Sequence, residues 1–162
     1  MKNKTHFIAQ AALIAALYTV LVLVFGFSSF GPVQLRVAEA MTILPYFTPA
    51  AIPGLFIGCL ISNLVGGALP LDVIFGSLAT LLASFLSYKL RSKKWLVPLP
   101  PIIVNTVVVG LLLKYAYGLP DALLVLMFGV FLGQTVAIYG LGMLFLKALE
   151  PIKDKVFKYS KF

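Results

Sequence analysis

The sequence predicts an all-α membrane protein with six transmembrane helices, and three observations carry that prediction. Long stretches are almost free of charge: Phe7–Phe27, Ala50–Val65, Val73–Tyr88, Ile102–Leu113 and Ala122–Leu146. The cations gather in short segments between or beyond those stretches. Clustered Gly and Pro separate the stretches into pieces of helix length. About 17–25 apolar residues span the hydrocarbon core as a helix, so six helices use most of the 162 residues and leave short loops. We therefore read residues 1–162 as a single integral membrane domain. The hydrophobic share is 61% and the mean hydropathy is +1.05, against about 45–50% apolar residues in a typical soluble domain.

The first helix is expected over about 5–27. Lys2 and Lys4 precede its apolar run, as in a signal peptide. The run exceeds the 7–15 residues of a signal core and has no small-residue cleavage site after it, so an uncleaved helix is expected. Gly31 and Pro32 mark a loop, and a short second helix follows over about 35–47. Pro45, Pro49 and Pro53 break the chain close together, which is tolerated at membrane depth only where protein or water satisfies the freed backbone groups. The third helix is expected over 51–66. Gly66, Gly67 and Pro70 then turn the chain into the fourth, over 71–90. A basic loop with Trp95 at its edge leads to Pro98, Pro100 and Pro101. These open the fifth helix over 100–116, since proline is accepted in a first turn. Gly118 and Pro120 precede the sixth helix, over 121–148.

The net charge of +8 is explained by topology rather than by nucleic-acid binding. Lys2 and Lys4, then Lys89, Arg91, Lys93 and Lys94, then Lys147, Lys153, Lys155, Lys158 and Lys161 fall on one side of the membrane if the chain crosses six times. Short Lys/Arg-rich loops stay cytoplasmic, so both termini are expected inside the cell. Arg36 and Lys114 break the bias. One cysteine excludes an intrachain disulfide, and one histidine leaves no plausible zinc or haem ligand set. No phosphate-binding G-x-x-x-x-G-K-[ST] loop or nucleophile elbow occurs. Neither a cofactor nor enzymatic activity is expected.

Ionisable residues within apolar runs are the informative exceptions, because a charge in hydrocarbon costs several kcal/mol and usually faces a bundle interior or substrate path. Gln34, Arg36 and Glu39 follow the first loop. Asn63 lies near the end of the third helix, Asp72 begins the fourth, and Tyr115 ends the fifth. Asn105 and Gln134 lie deeper. In the expected topology they form a cup open to the outside, suited to a planar hydrogen-bonding ligand. Each also has a plainer role. Arg36 and Glu39 are three apart and can neutralise one another, Asp72 suits a helix N-terminus, and the amides can bond between helices. Small residues spaced by four suit close helix contacts. Gly54, Gly58 and Ser62 are expected to pack inside the bundle, whereas Ala11, Ala12, Ala15 and Ala16 face either the bundle or another protein.

The stretches Val33–Pro45 and Thr48–Cys59 resemble the opening signature of the QueT family. Asn63 with Gly66 and Gly67, the stretch Asp72–Thr80, and Pro100 and Pro101 followed by Asn105 continue the resemblance over nearly the whole chain. It implies an S-component-like bundle of the energy-coupling factor (ECF) class of importers. It also implies a site near the outer face, a transmembrane scaffold subunit and two cytoplasmic ATPases as partners, and an alanine-rich face of the first helix contacting the scaffold. The implied cargo is a queuosine precursor of 7-deazaguanine type. A carboxylate can accept from the ring N–H and exocyclic amine together, and a second suits an aminomethyl cation. Glu39 and Asp72 are the candidates, in either order. The alternatives are an S component for a cobalamin-type or pterin-like vitamin, and a stand-alone carrier or channel.

Overall fold

The computed structural model describes residues 2–26 and 36–157, and within these every regular element is helical. Four helical stretches are long and apolar enough to cross a membrane: 4–24, 70–89, 94–116 and 123–156. Gln34 lies outside the described residues, as do Gly31 and Pro32 of the expected first loop.

Helix α1 spans Lys2–Val24. Its inward stripe is Ala11, Ile14, Ala15, Tyr18 and Val22, a spacing of three and four that puts them on one face, and all five are buried. Leu13, Leu17, Val20 and Val24 cover the opposite face and are exposed, as suits contact with lipid. The inward stripe lies on α3, Ala51–Val65. A Cβ on Gly54 would fall 2.8 Å from the Ala11 carbonyl oxygen, and one on Gly58 would fall 2.9 Å from Tyr18 Cβ. The two helices meet at backbone distance because these residues have no side chain, as small-residue stripes permit.

That contact splits the four alanines. Ala11 and Ala15 are buried against α3, whereas Ala12 and Ala16 are exposed. A partner-facing role for Ala11 and Ala15 is therefore corrected to a role in closing α1 onto α3. Adjacent alanines lie about 100° apart around a helix, so one pair faces the bundle and the other faces away.

The second element differs from the expected helix over 35–47. Helix α2, Val37–Tyr46, is wound as a 3₁₀ helix, with Arg36 O accepting from Glu39 N at 2.9 Å and Leu44 O from Phe47 N at 2.9 Å. Runs of this kind rarely exceed four residues. Here packing holds it, since residues 38 to 45 are all buried. It runs through the middle of the bundle, packed against α1, α3, α4 and the later half of α6.

Helix α4 spans Pro70–Lys89, with Pro70 in its first turn. It buries a face of small and hydroxyl residues, Gly76, Ser77, Ala79, Thr80, Ala83, Ser84 and Ser87. Helix α5 spans Leu99–Leu111 and continues as a π-helical turn, Leu112–Ala116. Helix α6 spans Leu123–Thr135, widens to a π-helix at Val136–Gly142, and regains α geometry over Met143–Leu149. A short turn, Lys153–Val156, ends the described chain.

Contacts tie the ends together. At one end, Gln10 Nε2 donates to the Val156 carbonyl at 3.2 Å, Ser87 Oγ to the Val97 carbonyl at 2.7 Å, and Tyr139 OH to the Trp95 carbonyl at 2.9 Å. This end carries the basic segments. The other end holds the α3–α4 and α5–α6 turns, where Gly67 and Gly118 take φ of +74° and +68°, conformations that favour glycine.

Candidate functional site

Three residues per turn is what aims α2 at its neighbours. In a 3₁₀ helix residues i and i+3 eclipse, so Arg36, Glu39 and Thr42 form one stripe. All three are buried. Thr42 Oγ1 donates to the Glu39 carbonyl at 2.6 Å, which satisfies its hydroxyl within the stripe.

Glu39 is 1% exposed. Its carboxylate accepts from Tyr18 OH of α1 at 2.7 Å and from Asn105 Nδ2 of α5 at 3.2 Å. Both donors are neutral. Asp72, also 1% exposed, sits in the first turn of α4. Its Oδ2 accepts from Tyr117 OH at 2.9 Å and lies 3.8 Å from Arg36 Nη2. Asn63 Nδ2 of α3 reaches the Asp72 carbonyl at 3.5 Å. A Cβ on Gly76 would come 2.6 Å from Asp72 Oδ1, so an added side chain there would turn the carboxylate from its present position.

The two carboxylates thus belong to one connected region, joined through Arg36. Arg36, Glu39, Gly76, Thr80, Asn105, Val109 and Gln134 surround a small pocket with about 230 Å³ of space between atoms. Three buried acceptors, Asn63 Oδ1, Asp72 Oδ1 and Gln134 Oε1, have no hydrogen-bond partner among the described residues, and nor do the Ser77 and Thr106 hydroxyls. An unmet buried polar atom costs about 1–3 kcal/mol. Hydrogen-bond donors brought to these acceptors would satisfy them. Among the described residues no group of His, Cys, Asp and Glu could hold a metal ion.

Six of the predicted residues converge here: Arg36, Glu39, Asn63, Asp72, Asn105 and Gln134. Tyr115 does not. It is 76% exposed and lines an outward apolar groove with Leu71, Phe75 and Leu111. Tyr117 takes the inward place, held by its bonds to Asp72 and to Leu69 N at 3.4 Å. The swap follows from backbone geometry. Tyr117 N bonds to the Leu112 carbonyl at 3.0 Å, five residues back, and this wider turn shifts the helix face that points inward. Burial and the neighbouring Asp72 charge raise the Tyr117 phenol above its usual pKa, so it keeps its proton and remains a donor. Lys114 is spent on the α5–α6 turn, donating to the Leu119, Pro120 and Asp121 carbonyls.

Sequence reasoning missed Tyr18, Gly76, Ser77 and Thr80. Tyr18 was legible as a phenol on the small-residue stripe of α1, three and seven residues after Ala15 and Ala11. The α4 residues carried no signal beyond their small size.

Against these observations stand the comparisons with known proteins. The sequence pattern of the QueT transporter family matches residues 8–151. The chain belongs to the QueT transporter family. It is also 42% identical over 82 residues to the Queuosine precursor transporter QueT of Lactococcus lactis subsp. cremoris (strain MG1363), an alignment covering 49% of this chain and 48% of that protein. The aligned part thus spans about half of that curated relative. No solved structure matches the chain. Every member of the polar region lies within the matched residues 8–151. The family and the several long apolar helices make this a multi-pass membrane protein of a transporter family.

Proposed function

We propose that this chain is a substrate-binding S component that takes up a queuosine precursor of 7-deazaguanine type. In this reading the cargo enters at the α3–α4 end, which faces outside. A transmembrane scaffold subunit and two cytoplasmic ATPases of an ECF module then drive its release inward. The observation that carries the reading is the joint burial of Glu39 and Asp72 in one region with unmet acceptors. A 7-deazaguanine offers a ring N–H and an exocyclic amine, which are the donors such acceptors need. The printed name of the Lactococcus relative points to the same cargo. The orientation rests on the basic end, since Lys/Arg-rich short loops are held in the cytoplasm.

The two acidic roles that the sequence left open are divided in this reading. Asp72 already holds Arg36 and Tyr117. Glu39 accepts from two neutral donors, Tyr18 and Asn105, and we assign it to the cargo's donor edge or cation. Asn105 and Gln134 flank it and serve the ring. Ligand pockets commonly measure about 300–1,000 Å³, whereas these side chains leave no space for even a water-sized sphere between them, so a bicyclic cargo needs them to move apart. Ala12 and Ala16, on the outward face of α1, are the proposed contact with the scaffold.

The test is direct binding to the purified chain, with 7-deazaguanines, guanine, a pterin and a cobalamin as the panel, and mass spectrometry of any copurified ligand. Glu39→Gln and Asp72→Asn are each expected to weaken binding tenfold or more, on the order of 1.4 kcal/mol. No affinity for any deazaguanine rejects the cargo. Transport by the reconstituted chain without ATPase partners would instead make it a stand-alone carrier.

A further inference from the structure

The basic end of the bundle carries a second concavity, remote from the carboxylates. It lies between the end of α2, the segment after α4 and the C-terminal turn, and measures about 570 Å³. Arg91 and Lys153 provide its cations, Ser92 a hydroxyl and Asp154 a carboxylate. Tyr46, Phe47 and Phe157 form its apolar wall, where the Phe47 and Phe157 rings stack at 5.1 Å with 5° between planes. The Gln10–Val156 bond pins the turn that contributes Lys153.

The surrounding charge is strongly one-sided. Lys89, Arg91, Lys93, Lys94, Lys147, Lys153 and Lys155 stand against Glu150 and Asp154. Glu150 is engaged by Lys94 at 3.7 Å. Arg91 lies over the Tyr88 ring at 4.2 Å, which positions the guanidinium without neutralising it. Leu90, Ile152 and Val156, next in the chain to the lining residues Arg91, Lys153 and Phe157, are exposed apolar side chains. A concave basic patch at the edge of a lipid-facing surface meets both halves of an anionic lipid, and basic pockets between helices on the cytoplasmic side recognise such headgroups.

We propose that this pocket binds the headgroup of an anionic phospholipid. The phosphate sits between Arg91 and Lys153, headgroup hydroxyls meet Ser92 and Asp154, and the acyl chains run along the adjoining apolar flank. The site owes nothing to the cargo pocket and stands or falls separately from it.

The experiment uses the full chain in neutral detergent, titrated with short-chain phosphatidylglycerol, phosphatidylcholine or inorganic phosphate. Native mass spectrometry reads occupancy and thermal unfolding reads stabilisation. Phosphatidylglycerol should bind and raise the unfolding midpoint, and the other two should not. Arg91→Gln with Lys153→Gln should lower phosphatidylglycerol affinity at least tenfold, while Lys155→Gln, the same charge lost outside the pocket, should change it less than twofold. If the double variant is poorly folded, Arg91→Lys with Lys153→Arg carries the test and should retain binding. The proposal is overturned if inorganic phosphate or phosphatidylcholine reproduces the effect, or if Lys155→Gln weakens binding equally. It is also overturned if the charge-keeping swap abolishes binding. Unchanged lipid affinity in the double variant, with loss of a copurifying protein, would make the patch a protein interface instead.

Discussion

Replacing Gly58 with alanine tests whether the α1–α3 contact holds the candidate site together. The added Cβ would lie 2.9 Å from Tyr18 Cβ, 3.0 Å from the Ala15 carbonyl oxygen and 3.1 Å from Ala15 Cα. Two of those atoms are backbone and the third is the fixed root of a side chain, so no rotamer change relieves the clash. The helices must separate by a few tenths of an ångström along a buried seam. Overpacking of this kind costs about 1–3 kcal/mol, against which the better helix propensity of alanine returns at most about 1 kcal/mol. At roughly 2–4 °C per kcal/mol for a chain of this size, the unfolding midpoint should fall by several degrees. The displaced residue is Tyr18, whose hydroxyl donates to Glu39 at 2.7 Å, so cargo affinity should fall too. Gly140→Ala is the control, because nothing lies within 4 Å of a Cβ there, and it should be neutral or slightly stabilising. Thermal unfolding in detergent and ligand titration of the three proteins decide the matter. Wild-type stability and affinity in Gly58→Ala would refute the backbone-distance contact and its link to the site.

Other perturbations separate the inward residues from their neighbours. Tyr117→Phe removes the donor to Asp72 and the acceptor for Leu69 N; at this partly exposed position cargo binding should weaken by a few-fold, on the order of 1 kcal/mol. Tyr115→Ala should leave affinity unchanged within twofold in the same titration, because that ring faces outward. Because the folded state raises the Tyr117 pKa, its proton-linked contribution to stability is complete below the ordinary tyrosine value of about 10 and is lost as pH rises through the folded value. Thermal midpoints of wild type and Tyr117→Phe, measured against pH, should therefore converge on the alkaline side. Ala12→Leu or Ala16→Leu should spare cargo binding and impair uptake by the complete transporter, whereas loss of binding by the isolated chain would remove the proposed scaffold contact.

How much was legible in the amino-acid order differs from element to element. Gly66 follows the last residue of α3, Pro70 opens α4 and Pro100 lies in the first turn of α5, because these residues act locally on backbone geometry and hydrogen bonding. The close approach at Gly54 and Gly58 was also legible, since spacing of four on a helix defines a face whatever lies opposite. The winding of α2 was not. Its apolar residues suit either a 3₁₀ or an α helix, and burial from all sides, rather than local preference, selects between them. For the same reason the split of Ala11 and Ala15 from Ala12 and Ala16 needed the position of α3. The exchange of Tyr115 for Tyr117 needed the π-turn at the end of α5.

By itself, then, the chain's order of residues determined the solvent it lives in, the helical class and the roster of costly polar groups. Those follow from hydropathy, helix length and the expense of charge in hydrocarbon, all of which are additive along the chain. Only the tertiary structure decided that Arg36 pairs with Asp72 while Glu39 meets Tyr18 and Asn105. Partners that are 21, 36 and 66 residues apart are chosen by how four helices pack around α2, and no local rule carries that information.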